Sequence, residues 1–414
     1  MKEALIQNLD NAAALEQLYR KDKNGFKKAF DEAYATNSSN ANLQFWHARL
    51  NYKEEQLNFG NKREFTFVIL LAIVAGMFAN ISNIPNINVE LFFTRNTVFL
   101  ILPFITTYYI YKQDLSLKIK TAVGFILIIL AAYINLLPNN PNSSSINLVY
   151  IHLPLLLWSI LGYGYLGNDF YNSQKRINFL KFNGDFLIMT AVIILSCLAF
   201  TIITFGLFNL IGIKIEKFYM QYIAIWGIGG IPILATYLID HNPQIINKVS
   251  PLIAKIFTPL VFINLLVYLI TLIYTGKYPH NDRNLLLIYN ALLVGVLALI
   301  FFSIAETETS KRNYFSTLLL FGLSLLTITV NCIALSAIIY RIFEWGITPN
   351  RITVLGGNVI IFINLILVSY QLLKALKNKT NLTKVEDTIA TYLPIYAIWT
   401  GIVALMFPIV FHGK

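Results

Sequence analysis

The chain has 414 residues, of which 56% are hydrophobic and only 13% charged. An ordinary soluble domain carries about 25% charged residues, so this composition cannot cover a water-facing surface and marks a polytopic membrane protein. The formal net charge of +11 is no nucleic-acid signal: residues 1–64 hold ten Lys and Arg against nine Asp and Glu, so almost all the excess lies among the apolar segments that follow, where anionic lipid headgroups meet it.

Residues 1–64 read as a small soluble helical domain. Asp10 is placed to cap a helix whose apolar face is Leu15, Leu18 and Tyr19, and Asn24-Gly25 to break it. Phe26, Phe30 and Tyr34 recur at four-residue spacing, the mark of a second amphipathic helix. Asn37-Ser38-Ser39-Asn40 reads as a loop, and Leu43, Trp46 and Leu50 as a third helix. So few large apolar side chains predict a unit that docks, on the membrane part of the chain or on a cytoplasmic partner. No apolar stretch precedes Phe65, so no signal peptide is expected.

A hydrocarbon core of about 30 Å takes about 20 apolar residues per helix. Eleven segments qualify: 65–83, 97–111, 119–137, 146–166, 185–210, 219–239, 251–275, 284–304, 314–343, 351–375 and 389–411. Strand-type alternation is missing, which excludes a β-barrel. The expected fold is therefore all-α: a polytopic transmembrane helical bundle over 65–414 behind a cytoplasmic helical domain over 1–64. With the N-terminus inside, the cytoplasmic segments and span ends hold 24 of the 32 cations and the opposite side 8. That threefold bias predicts a cytoplasmic N-terminus and a C-terminus on the far side, periplasmic if the membrane is a bacterial inner membrane. The long span 314–343 is the place where a second pass would invert everything after it.

One polar cluster interrupts the apolar pattern: Tyr340-Arg341-Ile342-Phe343-Glu344-Trp345-Gly346-Ile347-Thr348-Pro349-Asn350-Arg351. Gly346 suits a left-handed helix end, and Thr348-Pro349 a helix cap followed by a first helical residue. The stretch predicts a tight corner between spans nine and ten. Arg341 and Glu344, three apart, share a helix face and can pair. Arg351 falls in the first turn of the next helix, where the macrodipole disfavours a cation. An anion is expected beside it, supplied by Glu344, a lipid phosphate or a substrate. Arg341, Glu344, Thr348, Asn350, Arg351 and, two turns on, Asn358 form the candidate ligand-binding set. Membrane anchoring by Trp, Tyr and Arg at headgroup level is the competing reading. An earlier corner, Tyr274…Pro279-His280-Asn281-Asp282-Arg283 followed by Asn290, echoes this one, since Arg precedes Asn by seven residues in both. The echo suggests a parallel repeat of helical hairpins.

The run RIFEWGITPNR, flanked by apolar spans, resembles a bacterial integral-membrane family, domain-of-unknown-function family forty-one fifty-three. That family carries Arg-Ile/Leu-x-Glu-Tyr/Trp-Gly-Leu/Ile-Thr-x-x-Arg at this place. TLIYTGKYPHNDRN is similar to its second, Tyr-rich region, although the glycine expected after Pro279 is missing, and the opening MKEALIQNLDNAAALEQLYRKDKNGFKKAF is similar to members with a helical N-terminal extension. The resemblance implies a multi-spanning cytoplasmic-membrane protein and brings no activity, cofactor or catalytic residue with it.

No metal or nucleophile motif is present. His47, His152, His241, His280 and His412 are scattered, Cys197 and Cys332 lie deep in apolar runs, and neither a P-loop nor Gly-x-Ser-x-Gly occurs. The centres of the eleven segments lack Asp and Glu, which argues against an ordinary proton-coupled carrier. Asp240-His241 and Glu306-Thr307-Glu308 fall at span ends and read as solvated groups. Ser324, Thr327 and Asn331, and again Asn264, Tyr268 and Thr271, form polar stripes that glue helices or line a path. Gly227-Ile228-Gly229-Gly230-Ile231-Pro232 allows close helix approach and a kink. No catalytic residue, cofactor or nucleic-acid partner is expected, and membrane lipids are the expected surroundings. Two functions stay open: a transporter or lipid-handling protein binding an anionic group at the arginine cluster, and a structural or regulatory envelope protein acting through residues 1–64. An intramembrane enzyme on envelope lipids is the least supported, because no acid–base set converges.

Overall fold

The computed structural model of the chain describes every residue except 1, 10, 37–39, 51–59, 211–212, 247–248, 276–282, 307–313, 379–381 and 414. The described residues form helices and connecting turns, with no strand among them, and fall into two compact units, Met1–Asn58 and Phe59–Lys414.

The first unit holds α1 (Lys2–Gln7), α2 (Ala12–Lys21), α3 (Lys23–Thr36) and α4 (Ala41–Leu50). Asn11 caps α2, its side chain accepting from the Ala14 N–H at 3.1 Å; Asp10 lies outside the described residues. Asp22 caps α3 by accepting from the Gly25 N–H at 3.0 Å. Asn24-Gly25 thus opens a helix instead of breaking one, because a satisfied cap offsets the roughly 1 kcal/mol that glycine costs. Asn40 caps α4 in the same way, while the rest of the expected 37–40 loop is outside the described residues. The docking expectation needs correcting in one respect: the unit has a core of its own. Leu5, Leu15, Phe26, Phe30, Leu43 and Trp46 are all buried, and the rings of Phe26 and Trp46 lie 4.8 Å apart.

The second unit continues with α5 (Lys62–Asn80), α6 (Val89–Asn96), α7 (Leu102–Lys112), α8 (Leu117–Leu136), α9 (Ser144–Leu166) and α10 (Ser173–Leu210). A short α11 (Glu216–Phe218) runs through a π turn, Tyr219–Ala224, into α12 (Ile225–His241). Then come α13 (Pro243–Ile246), α14 (Val249–Thr275), α15 (Arg283–Glu306), α16 (Tyr314–Trp345) and α17 (Pro349–Asn378). The last segment is α18 (Thr383–Gly401), which passes through a second π turn into α19 (Phe407–Val410). Ten of the described helices are long and apolar enough to cross a membrane; the pair Val89–Asn96 and Val98–Lys112, bent by 62°, raises the number to eleven.

Contacts between helix ends place the end of α6 and the end of α7 on opposite levels of the bundle. Near the end of α7, Tyr108 meets Glu64 at the start of α5 and Asp240 at the end of α12, at 2.9 and 2.6 Å. At the end of α6, Arg95 donates to the carbonyls of Asn135 and Leu137, where α8 ends. Since α8 begins five residues after α7, the chain passes between these two levels in α6–α7 and again in α8. Other pins agree. Arg176 of α10 donates to the Ala390 carbonyl of α18, on the Glu64 level, and Asn350 of α17 donates to Ser144 of α9, on the Arg95 level. Tyr133 donates to the Ala404 carbonyl, so the last segment finishes on the Arg95 level, opposite the start of α5. The segment 314–343 lies within one helix of 32 residues, Tyr314–Trp345, a single pass.

The helix α10 begins twelve residues before the expected start at 185. Its first turns carry polar residues that read as loop in sequence but find partners inside the bundle: Arg176 on the Phe170 and Ala390 carbonyls, Asn183 on Trp158. Outward, Leu70, Phe125, Ile128, Leu195, Phe200 and Leu260 are exposed. Apolar surface on this scale is a lipid-facing surface.

Candidate functional site

At the corner between α16 and α17, Gly346 takes φ +74°, a conformation that side-chain-bearing residues disfavour, and its N–H donates to the Ile342 carbonyl at 2.9 Å. Thr348 Oγ1 accepts from the Arg351 N–H at 3.3 Å, and Pro349 starts α17. The guanidinium of Arg351 turns back: its Nη1 donates to the carbonyls of Trp345 and Gly346 at 2.7 and 2.6 Å. A cation at the unfavourable N-terminus of α17 is thereby also a cation at the favourable C-terminus of α16. Its partner is the backbone, a solution that counting charges along the chain does not reveal. Among the described residues, its Nε and Nη2 have no protein partner. Arg341 and Arg351 flank the Trp345 ring, at 5.0 and 5.8 Å from its centroid.

The other candidates disperse. Glu344 is exposed, and no ion pair joins it to Arg341. Asn350 donates to Ser144 Oγ at 3.1 Å and so ties α17 to α9. Asn358 is buried in the interior, donating to Asn290 Oδ1 at 3.0 Å while its own carbonyl accepts from Asn331 Nδ2 at 3.0 Å. The structure therefore gathers Arg341 and Arg351 about Trp345, with Thr348 on the Arg351 N–H, and leaves Glu344, Asn350 and Asn358 apart. Most of the echoing corner, 276–282, lies outside the described residues. Of the polar stripes, Ser324, Thr327 and Asn331 are fully buried, whereas Asn264 and Thr271 are exposed.

A cleft of about 760 Å³ is walled by α9, α10, α14, α15, α17 and α18. Leu155, Leu187 and Val294 on its wall are 44%, 67% and 57% exposed, so it opens through the side of the bundle. Its body is apolar and aromatic, with Trp158, Phe302, Ile361 and Trp399 prominent. Two glycines shape it. A Cβ on Gly184 would sit 2.0 Å from the Phe302 ring, and one on Gly356 would sit 2.1 Å from the Trp399 ring. Each ring therefore lies against a bare helix backbone.

Most polar groups of the cleft are satisfied locally. Ser159, Thr353 and Thr400 donate to carbonyls of their own helices, His152 Nδ1 meets the Leu148 carbonyl at 2.9 Å, and Trp158 Nε1 donates to Asn183 Oδ1 at 2.7 Å. The exception is Tyr396, whose buried hydroxyl has no hydrogen-bond partner among the described residues. An apolar slot with one orphan hydroxyl has the lining common to small-molecule sites. It offers no paired acid and base. The sequence reading missed Trp158, Asn183, Tyr396 and Trp399, which come from three helices far apart in the chain. The only local hints were Gly184 and Gly356-Gly357, glycines inside otherwise apolar helices.

Asp240 and His241 are not the solvated groups their position suggested. With Glu64 they place three candidate ligand atoms within 4.8 Å of one another. Those atoms already have partners. His241 Nε2 lies 3.3 Å from Glu64 Oε2, Lys112 pairs with Asp240, and the Tyr108 hydroxyl sits between the two carboxylates. An ammonium group against one carboxylate opposes a metal ion there, and the cluster works as a clasp on α5, α7 and α12. No protein-family model matches the chain, and neither a curated protein nor a solved structure does.

Proposed function

We propose that this multi-spanning membrane protein binds a lipid, or another long apolar molecule, in the lateral cleft and moves or presents it within the membrane. The cleft carries this reading. Its volume falls inside the roughly 300–1,000 Å³ of small-molecule sites, its wall is apolar, and its few polar groups are fixed. The open edge of Arg351, Nε and Nη2, fits an anionic headgroup at that end of the bundle. The cation asymmetry along the chain supports an inner-membrane location with the Glu64 level facing the cytoplasm. The resemblance of RIFEWGITPNR to a multi-spanning family agrees with this and adds no activity.

Native mass spectrometry of the detergent-purified full-length protein tests the proposal. Ala298 is an exposed residue in the cleft wall, so Ala298→Trp fills the recess without disturbing the core. Wild type is expected to retain lipid that a folded Ala298→Trp variant loses. Arg351→Ala is expected to lose anionic lipids selectively. Equal lipid loads in wild type and folded Ala298→Trp would remove the cleft as the site.

A further inference from the structure

Three charged side chains converge inside the Glu64 level of the bundle, apart from the cleft lining and the arginine corner. Asp185 of α10 is 6% exposed, and Glu306, the last residue of α15, is 3% exposed. Lys181, one turn before Asp185, holds its Nζ 3.8 Å from Glu306 Oε2. Ser250 of α14 donates its hydroxyl to Asp185 Oδ1. Neither oxygen of Glu306 accepts a hydrogen bond from any described residue. Among the described residues, Asp185 and Lys181 are the charges that act on Glu306. On the other helices packed against α15, Lys255, Tyr314, Lys374, Lys377 and Lys384 are exposed, and Glu386 is buried near the start of α18.

Charge counting is decisive here. Among the described residues two carboxylates share one ammonium, which leaves one negative charge uncompensated there, and a bare buried charge is strongly unfavourable. That balance favours uptake of one positive charge. We infer that Asp185 and Glu306, with Lys181, form a binding site for a single monovalent cation, a proton or a sodium ion. Oxygen donors suited to sodium are close by: Ser303, one turn before Glu306, accepts from Thr258 Oγ1 at 3.3 Å. The Lys181 side chain is 34% exposed while that of Glu306 is fully buried, so exchange with solvent runs past Lys181. The site stands independently of what the cleft holds, yet shares its helices. Gly184, beside Asp185, and Phe302, one turn before Glu306, both line the cleft. Cation uptake thus acts on the cleft wall, and both carboxylates lie outside the span centres that lack Asp and Glu.

Dicyclohexylcarbodiimide, which adds to protonated carboxyl groups in apolar surroundings, is the probe. Full-length protein in lipid nanodiscs is treated across a pH series in sodium or choline chloride, and the adduct is located by peptide mass spectrometry. An adduct at Glu306 or Asp185 is expected, its yield falling about tenfold per pH unit once the group ionises. Suppression by sodium at fixed pH identifies sodium as the cation; indifference to sodium identifies the proton. Asp185→Asn removes the excess charge and is expected to abolish the adduct in folded protein, because Glu306 then pairs with Lys181 alone. No adduct at any pH, or one unchanged by both pH and sodium, overturns the inference. The wild-type arms decide even where Asp185→Asn fails to fold.

Discussion

The side-chain amide of Asn358 donates to the side-chain carbonyl of Asn290 at 3.0 Å, joining α17 to α15 inside the bundle. Each of these asparagines follows an arginine by seven residues, Arg351 and Arg283. Side-chain hydrogen bonds between membrane helices contribute roughly 0.6–2 kcal/mol. Asn290→Ala and Asn358→Ala are each expected to lower the unfolding midpoint, and the double variant by less than the sum. Strict additivity in that cycle would mean the pair is not coupled.

Arg351 closes the corner through two carbonyls, and hydrogen bonds to charged groups contribute about 1.5–3 kcal/mol. Arg351→Ala is expected to destabilise by about that amount. Arg351→Lys should fall between, since an ammonium carries the charge without the planar fork. Thermal unfolding in detergent measures both, and equal losses for Lys and Ala would show that the fork, not the charge, matters.

The clasp predicts an asymmetry. Lys112→Met leaves the partly buried Asp240 carboxylate without its cation and is expected to cost about 1–3 kcal/mol. Adding Asp240→Asn should recover part of the loss, because the amide carries no charge to compensate. A further loss of stability in the double variant would contradict a charge-pairing role.

Gly356 and Gly357 are adjacent but not equivalent. A Cβ at Gly356 meets the Trp399 ring at 2.1 Å, whereas the nearest atom to one at Gly357 is Trp399 Nε1 at 3.8 Å. Gly356→Ala is expected to push the indole towards the cleft, shift tryptophan emission and destabilise by roughly 1–3 kcal/mol. Gly357→Ala should stay within about 0.5 kcal/mol of wild type.

In the first unit, hydrogen bonds from Arg20 and Arg49 hold the Glu16 carboxyl below its ordinary value of 4.5. A depressed carboxylate contributes stability above its unfolded-state value and loses it as pH falls through the folded one. Hydrogen exchange of α2 and α4 in the full-length chain should therefore accelerate as pH drops below about 4.5 relative to a Glu16→Gln variant, whose protection lacks this component. Parallel pH profiles would discount the contact.

The membrane class, the all-α bundle and most span positions are legible in the sequence, because an apolar run of about 20 residues is a local property that needs no partner to be recognised. The α16–α17 corner is legible for the same reason: Gly346, Thr348 and Pro349 act on their own backbone. The fate of each polar side chain was decided elsewhere. Asn11 took the cap expected of Asp10, Asp22 capped a helix that runs through the expected break at Asn24-Gly25, the polar start of α10 proved helical, and Arg351 found carbonyls five and six residues behind it. Glu306 lost its solvent to α10, more than a hundred residues away in the chain. The cleft has no sequence signature, since it is the space left where six helices fail to meet. In a low-dielectric interior a polar group's free energy depends on which partner arrives within about 3 Å, and only the packed bundle decides that.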